Sequence, residues 1–343
     1  VSAREDGNDT MLRAGADVVC PRSRFAQIAD QLPTPPSGEA RSDLVDRARG
    51  ALLGTLIGDA LGCPFEGTPT SNIAHLERQL RRRIETPKAW GHTDDGEMML
   101  NVAESLCRRG KLDEEHLLGC LANGHEPARG YGKGARTAFR VWHAGGSYRD
   151  ASRALWEEGS RGNGGAVRVA PVAAWARCAQ EPAVAELARR SATPTHVHEE
   201  ARAGAAIVAV AVHRGLHRTR PSEIAQSLAD LADGPTAERI RSVWALRAEP
   251  GAIVAARLGN GVLAVESVPA AIWAVVGSKS FEDAVLRAVG LGGDTDSIGA
   301  MAGAVAGASY GANGIPAIWI AALEPRAVAR ADRCATLLVH RGQ

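Results

Sequence analysis

SDLVDRARGALLGTLIGDALG, running from Ser42 to Gly62, opens on a residue suited to cap a helix. Apolar side chains then recur at Leu44, Val45, Ala48, Ala51, Leu52 and Leu56, the spacing of one helical face. Within it Gly50, Gly54, Gly58 and Gly62 fall every fourth residue, and Gly299, Gly303 and Gly307 repeat the pattern far along the chain. Glycine inside a helix costs about 1 kcal/mol relative to alanine, so the repetition calls for compensation. A ridge without side chains lets two helix backbones approach closely. Two central helices packed along their glycines are therefore expected, with the segments at their ends brought together.

Outward from Ser42 the helical pattern recurs, at Ile73 to Ile84, Met98 to Arg109, Ala135 to Ala144, Ala166 to Ala179 and Val197 to Gly215. It continues at Ser222 to Ala232, Val268 to Val276, Phe281 to Val289 and Ile298 to Tyr310. Gly, Pro, Asn and Ser/Thr punctuate these runs, while no alternating strand pattern or fixed-period repeat is found. The expected fold is all-α: one compact multi-helix domain of ten or more helices over residues 43–343. Residues 1–42 stand apart, with Pro33, Pro35, Pro36, Ser37 and Gly38 forming a linker-like stretch after one weak helical pattern around Phe25 to Leu32. They read as a flexible N-terminal extension, or as an arm that docks on a partner or on the rest of the protein.

The 343 residues include 40 basic and 39 acidic side chains, so no global field favours nucleic acid or an anionic membrane. Six scattered cysteines (20, 63, 107, 120, 178, 334) make no CxxC pair, and reduced thiols in a cytoplasmic protein are expected. Val1 to Arg13 has no apolar secretion-signal core, and the longest small-apolar runs are too short to span a bilayer.

Two acidic stretches about two hundred residues apart carry the chemistry: Thr93-Asp94-Asp95 and Asp294-Thr295-Asp296-Ser297. Each precedes a helical run. Aspartates are ionised at neutral pH, and clustering four of them is repulsive unless a cation joins them. With the Thr93 and Ser297 hydroxyls they form an all-oxygen set for magnesium or manganese. Each stretch also suits an N-cap, a role compatible with metal binding. Glu66 leaves the first helix on the loop Gly62-Cys63-Pro64-Phe65-Glu66-Gly67. The runs Arg129-Gly130-Tyr131-Gly132-Lys133-Gly134 and Gly162-Asn163-Gly164-Gly165 each lead into a helix, where backbone N–H groups can approach a phosphate, although turns use the same residues. Arg168 can pair with a carboxylate or phosphate or serve a structural salt bridge.

These segments resemble the ADP-ribosylglycohydrolase family, in family order over about residues 46–312: Arg49 to Gly54, Gly58 to Gly62 with Glu66, Thr93 to Asp95, Arg129 to Gly132, Gly162 to Arg168, Thr195-His196 and Gly292 to Ser297. The resemblance implies a central cleft holding two Mg²⁺ or Mn²⁺ ions. It makes Thr93, Asp94, Asp95, Asp294, Asp296 and Ser297 the metal ligands, with Glu66, Asp95 and Asp294 catalytic. Gly130, Tyr131, Gly132, Gly134, Gly162, Asn163, Gly164, Gly165 and His196 would bind the substrate. Gly96 stands where many relatives have threonine, Ser297 where threonine is common, and Val167 where methionine is frequent.

The implied activity is metal-dependent cleavage of ADP-ribose from a modified protein side chain, arginine first and serine second. The alternative is an antitoxin or immunity protein whose N-terminal arm blocks an ADP-ribosyltransferase toxin. Magnesium-dependent prenyl-diphosphate chemistry wants a DDxxD spacing, whereas Gly96, Glu97 and Met98 follow Asp95, and aromatics are only 4% of the chain. The expected partner is an ADP-ribosylated protein; neither membrane nor nucleic acid is expected.

Overall fold

A computed structural model describes residues 42–86 and 88–342. In chain order its α-helices are α1 (Ser42–Gly62), α2 (Ile73–Glu85), α3 (Asp94–Arg109), α4 (Glu114–Asn123), α5 (Lys133–His143) and α6 (Tyr148–Arg153). There follow α7 (Gly164–Val167), α8 (Ala170–Trp175), α9 (Glu181–Ala192), α10 (Glu199–Leu216), α11 (Gly234–Ser242) and α12 (Gly251–Leu258). The last are α13 (Ala264–Val276), α14 (Phe281–Val289), α15 (Thr295–Tyr310), α16 (Ala317–Ala322) and α17 (Pro325–Arg341). The described residues contain no strand, only isolated bridges, so the all-α expectation holds. The arm expected within residues 1–42 falls outside the described residues except for Ser42, the first residue of α1.

α1 and α15 form the axis. They run antiparallel, with Gly50 against Gly307, Gly54 against Gly303 and Gly58 against Gly299. A Cβ on Gly54 would lie 2.0 Å from the Gly303 carbonyl oxygen, and one on Gly58 1.9 Å from the Gly299 oxygen. The four-residue glycine spacing thus corresponds to direct backbone contact. α10, α13 and α14 pack on α15, while α17 and α3 pack on α1. One hydrophobic core runs through these elements.

Two of the expected helices do not form as single elements. Ala166 to Ala179 is split into α7 and α8, because Pro171 near the start of α8 has no N–H with which to continue a helix from Val167. Ser222 to Ala232 contains only two short 3₁₀ turns, Pro221–Glu223 and Leu228–Leu231. Ser227 between them adopts φ +58°, which interrupts any helical ladder. The five cysteines among the described residues are free thiols, and no helix there is long and apolar enough to cross a membrane.

Candidate active site

The first half of the site is a helix start held from below. Thr93 caps α3 with extended backbone, its hydroxyl accepting from the Asp95 N–H at 3.3 Å. The helix begins at Asp94 rather than Met98, so both aspartates stand in its first turn, where the helix dipole favours negative charge. Asp59, fully buried near the end of α1, fixes this turn. Its carboxylate accepts from the Thr93 N–H at 3.0 Å to each oxygen and from the Gly96 N–H at 2.7 Å. A Cβ on Gly96 would come within 2.9 Å of that carboxylate, so glycine after the aspartate pair leaves Asp59 room.

The second half begins at Gly292 and Gly293, both at φ +70°, a conformation open to glycine without strain. Gly67 N–H donates to Gly293 O at 2.8 Å, and Gly293 N–H donates to Thr68 O at 2.9 Å. That pair of bonds draws the Glu66 loop against the start of α15. As a result, carboxylate oxygens of Glu66, Asp294 and Asp296 lie within 4.8 Å of one another. Thr295 Oγ1 donates to Gly62 O at 2.9 Å, joining the start of α15 to the end of α1. Ser297 Oγ donates to Asp95 Oδ2 at 2.7 Å and so links the two acidic stretches. Asn163 Nδ2 reaches Asp294 Oδ2 at 2.6 Å and Ser267 Oγ at 3.1 Å.

Electrostatics follow from burial and like charge. Burial, then the charge of Asp59, raises Asp94 to about 7. Burial, then Asp294, raises Asp296 to about 9. Asp95 is pushed up by burial and then by Asp94 and Asp296, and Glu66 by burial and then by Asp294. This repulsion is what a divalent cation relieves. The donors are carboxylate and hydroxyl oxygens, hard ligands that fit magnesium or manganese, with no imidazole or thiolate in the three-carboxylate group.

These groups line a cavity of about 1200 Å³. All six residues expected to hold metal face it, as do Glu66, Gly130, Gly132, Gly134, Gly162, Asn163, Gly164 and His196. Tyr131 and Gly165 are not among its walls. Tyr131 is buried in the core with its hydroxyl on Gly124 O, and Gly165 packs against Ala192. His196 is kept neutral, lowered to about 3 by burial and then by Arg168. Arg168 forms no salt bridge among the described residues. It is completely buried and donates to Ser191 O, Ala192 O and Thr195 Oγ1, and that hydroxyl bonds His196 Nδ1 at 2.7 Å. Its work is to hold the His196 turn in place.

Sequence reasoning assigned no role to several residues. Asp59 was visible only as part of the Gly58 to Gly62 motif. Arg129 donates to His92 O at 2.7 Å and grips Glu324 with two nitrogens, tying the glycine loop to the chain before α17. Trp156, half exposed on the cavity wall, stands where a Cβ on Gly134 would be 2.9 Å from its ring. No local spacing signals either contact.

Comparison with known proteins places this geometry among relatives. A family model described as ADP-ribosylglycohydrolase matches residues 40–342. The ADP-ribosylhydrolase ARH3 of Bos taurus is 32% identical over 331 residues, covering 82% of this chain and 89% of that protein; ARH3 of Homo sapiens is 32% identical over 330 residues, covering 82% and 90%. The ADP-ribosylarginine hydrolase Tri1 of Pseudomonas putida (strain GB-1) is 30% identical over 284 residues, covering 80% and 74%. A solved structure described as an ADP-ribosylglycohydrolase-related protein complex superposes with a TM-score of 0.69 at 28% identity, over 88% of this chain and 99% of that one.

Proposed function

The chain belongs to the ADP-ribosylglycohydrolase family and is an ADP-ribosylhydrolase, and we propose that it removes ADP-ribose from a modified protein side chain, with arginine the preferred acceptor and serine the second. The observation that carries the reading is the meeting of Glu66, Asp294 and Asp296 within 4.8 Å on one wall of a cavity whose other walls include the two glycine loops. The preference for arginine follows the name borne by the Pseudomonas relative.

We assign the oxygens of Thr93, Asp94, Asp95, Asp294, Asp296 and Ser297 to two magnesium or manganese ions. Such ions supply Lewis acidity toward the ribose hydroxyls and a nearby water. The chain's own groups do the rest. Asn163 and Ser297 hold the Asp294 and Asp95 carboxylates in fixed orientations. Glycines 130, 132, 134, 162 and 164 let backbone approach the diphosphate, and neutral His196 offers hydrogen bonding without charge. Trp156 offers a face to the adenine. Cleavage of the glycosidic bond builds positive charge on the ribose, which the adjacent carboxylates stabilise. Glu66, with its proton affinity raised, is suited to pass a proton to the departing side chain.

The test incubates the full chain and Mg²⁺ with arginine-linked and serine-linked ADP-ribosylated peptides. Release of ADP-ribose, abolished by a chelator and by Asp294→Ala with Asp296→Ala, is expected. Release from neither peptide, or release that survives both treatments, overturns the reading.

A further inference from the structure

The turn that carries Glu66 has two faces. Cys63 and Glu66 look into the catalytic cavity, whereas Pro64 and Phe65 wall a separate groove of about 400 Å³ on the opposite side. The last turn of α2 and Trp90 close this groove, and Arg82, Arg83 and Lys88 line it. Arg82 and Lys88 are exposed. Arg83 donates one N–H to Ala60 O at 3.1 Å and stands 5.5 Å from the centre of the Trp90 ring. Its Nε–H is buried without an acceptor, and so is the indole N–H of Trp90, a residue only 1% exposed.

Buried donors are nearly always satisfied, so two orphans beside one groove are informative. The charged groups of the groove and its indole only donate, while Gln79 and Thr86 add an amide and a hydroxyl that can donate as well as accept. Such a set suits an occupant with several acceptor oxygens and negative charge. A tetrahedral oxyanion has that chemistry, and arginine forks match its oxygens. We infer that this groove binds a phosphate group, either free or carried on a small ester. The site lies outside the catalytic cavity and stands independently of the proposed reaction. Because Phe65 and Glu66 are consecutive, an occupant behind Phe65 also steadies the loop that carries Glu66.

The experiment titrates the full chain, with chelator present to keep phosphate from the carboxylate site through metal, against inorganic phosphate and, separately, ribose 5-phosphate. Calorimetry reads affinity and amide hydrogen exchange reads residues 65–68. In the wild type, saturable binding that weakens with added NaCl and slows exchange at these residues is expected. The double variant Arg82→Gln with Lys88→Gln alters only exposed side chains, and it should bind at least tenfold more weakly and lose the exchange effect. Arg83→Gln should abolish binding. Tighter binding of inorganic phosphate identifies free phosphate as the occupant, and tighter binding of the ester identifies a carried one. Absence of saturable binding, or unchanged affinity in the double variant, overturns the inference.

Discussion

Replacing Gly54 by alanine tests whether the α1–α15 contact sets the geometry of the site. The new Cβ would lie 2.0 Å from the Gly303 carbonyl oxygen, where ordinary contact begins at 3.4 Å, and its second neighbour is the Gly303 carbonyl carbon at 2.7 Å. Both are backbone atoms, which no rotamer change can move aside, so the helices must separate by more than an ångström. Overpacking of a close-packed core costs about 1–3 kcal/mol and sometimes more, and a rigid backbone neighbour belongs at the upper end. Alanine recovers about 1 kcal/mol of helix propensity, leaving a net loss of about 2 kcal/mol or more. Urea unfolding should show a lower midpoint with an unchanged slope. The same separation disturbs the Ser297–Asp95 bond, so Mg²⁺ affinity measured by calorimetry should fall as well. Gly251→Ala, where the nearest atoms to an added Cβ are at 3.6 and 3.7 Å, serves as the control and should change stability by no more than about 0.5 kcal/mol. A Gly54→Ala protein as stable as the control, with wild-type Mg²⁺ affinity, would refute the reasoning.

Three further outcomes are expected. Asp59→Asn places an amide N–H₂ among the Thr93 and Gly96 N–H donors, and calorimetry should find Mg²⁺ bound about 10–100-fold more weakly while circular dichroism retains the helical signal. Added Mg²⁺ should raise the melting temperature more at pH 9 than at pH 5. Asp94 and Asp296 have folded-state values of about 7 and about 9, above the ordinary 3.8, so in metal-free protein stability is lost as pH rises through these values, and the cation restores it; equal shifts at both pH values would contradict this. Glu97 behaves oppositely: despite its burial, a hydrogen bond with His92 and the charge of Arg330 hold it at about 2, below the ordinary 4.5. Its contribution, about 3 kcal/mol, is present above pH 4.5 and is lost as pH falls toward 2, so Glu97→Gln should flatten that part of the acid-unfolding profile.

The glycine ridge was readable because a four-residue spacing on both helices has one economical explanation, a backbone contact. The acidic stretches were readable because residue type and helix-start context coincide there. Other features lacked such local signals. Asp59 sits among apolar residues of α1, and only the folded chain brings it beneath Thr93. α9 and α17 carry Pro182 and Pro325 in their first turns, and a Ser147–Asp150 capping box opens α6, start signals that apolar periodicity alone does not mark. Tyr131 shares the glycine loop of its neighbours yet turns into the core, which spacing alone does not reveal.

Glu97 and Glu104 on α3 are buried, and the guanidinium that meets both, at 2.9 Å and 2.7 Å, belongs to Arg330 on α17. Every carboxylate of the site is therefore synthesised before the cation that steadies the helix beneath two of them. A chain emerging N-terminus first has made the whole acidic constellation by Asp296 and still lacks this counter-ion. The helix bearing Asp94 and Asp95 acquires this support only as α17 docks, so maturation of the site waits on a segment made after every one of its carboxylates.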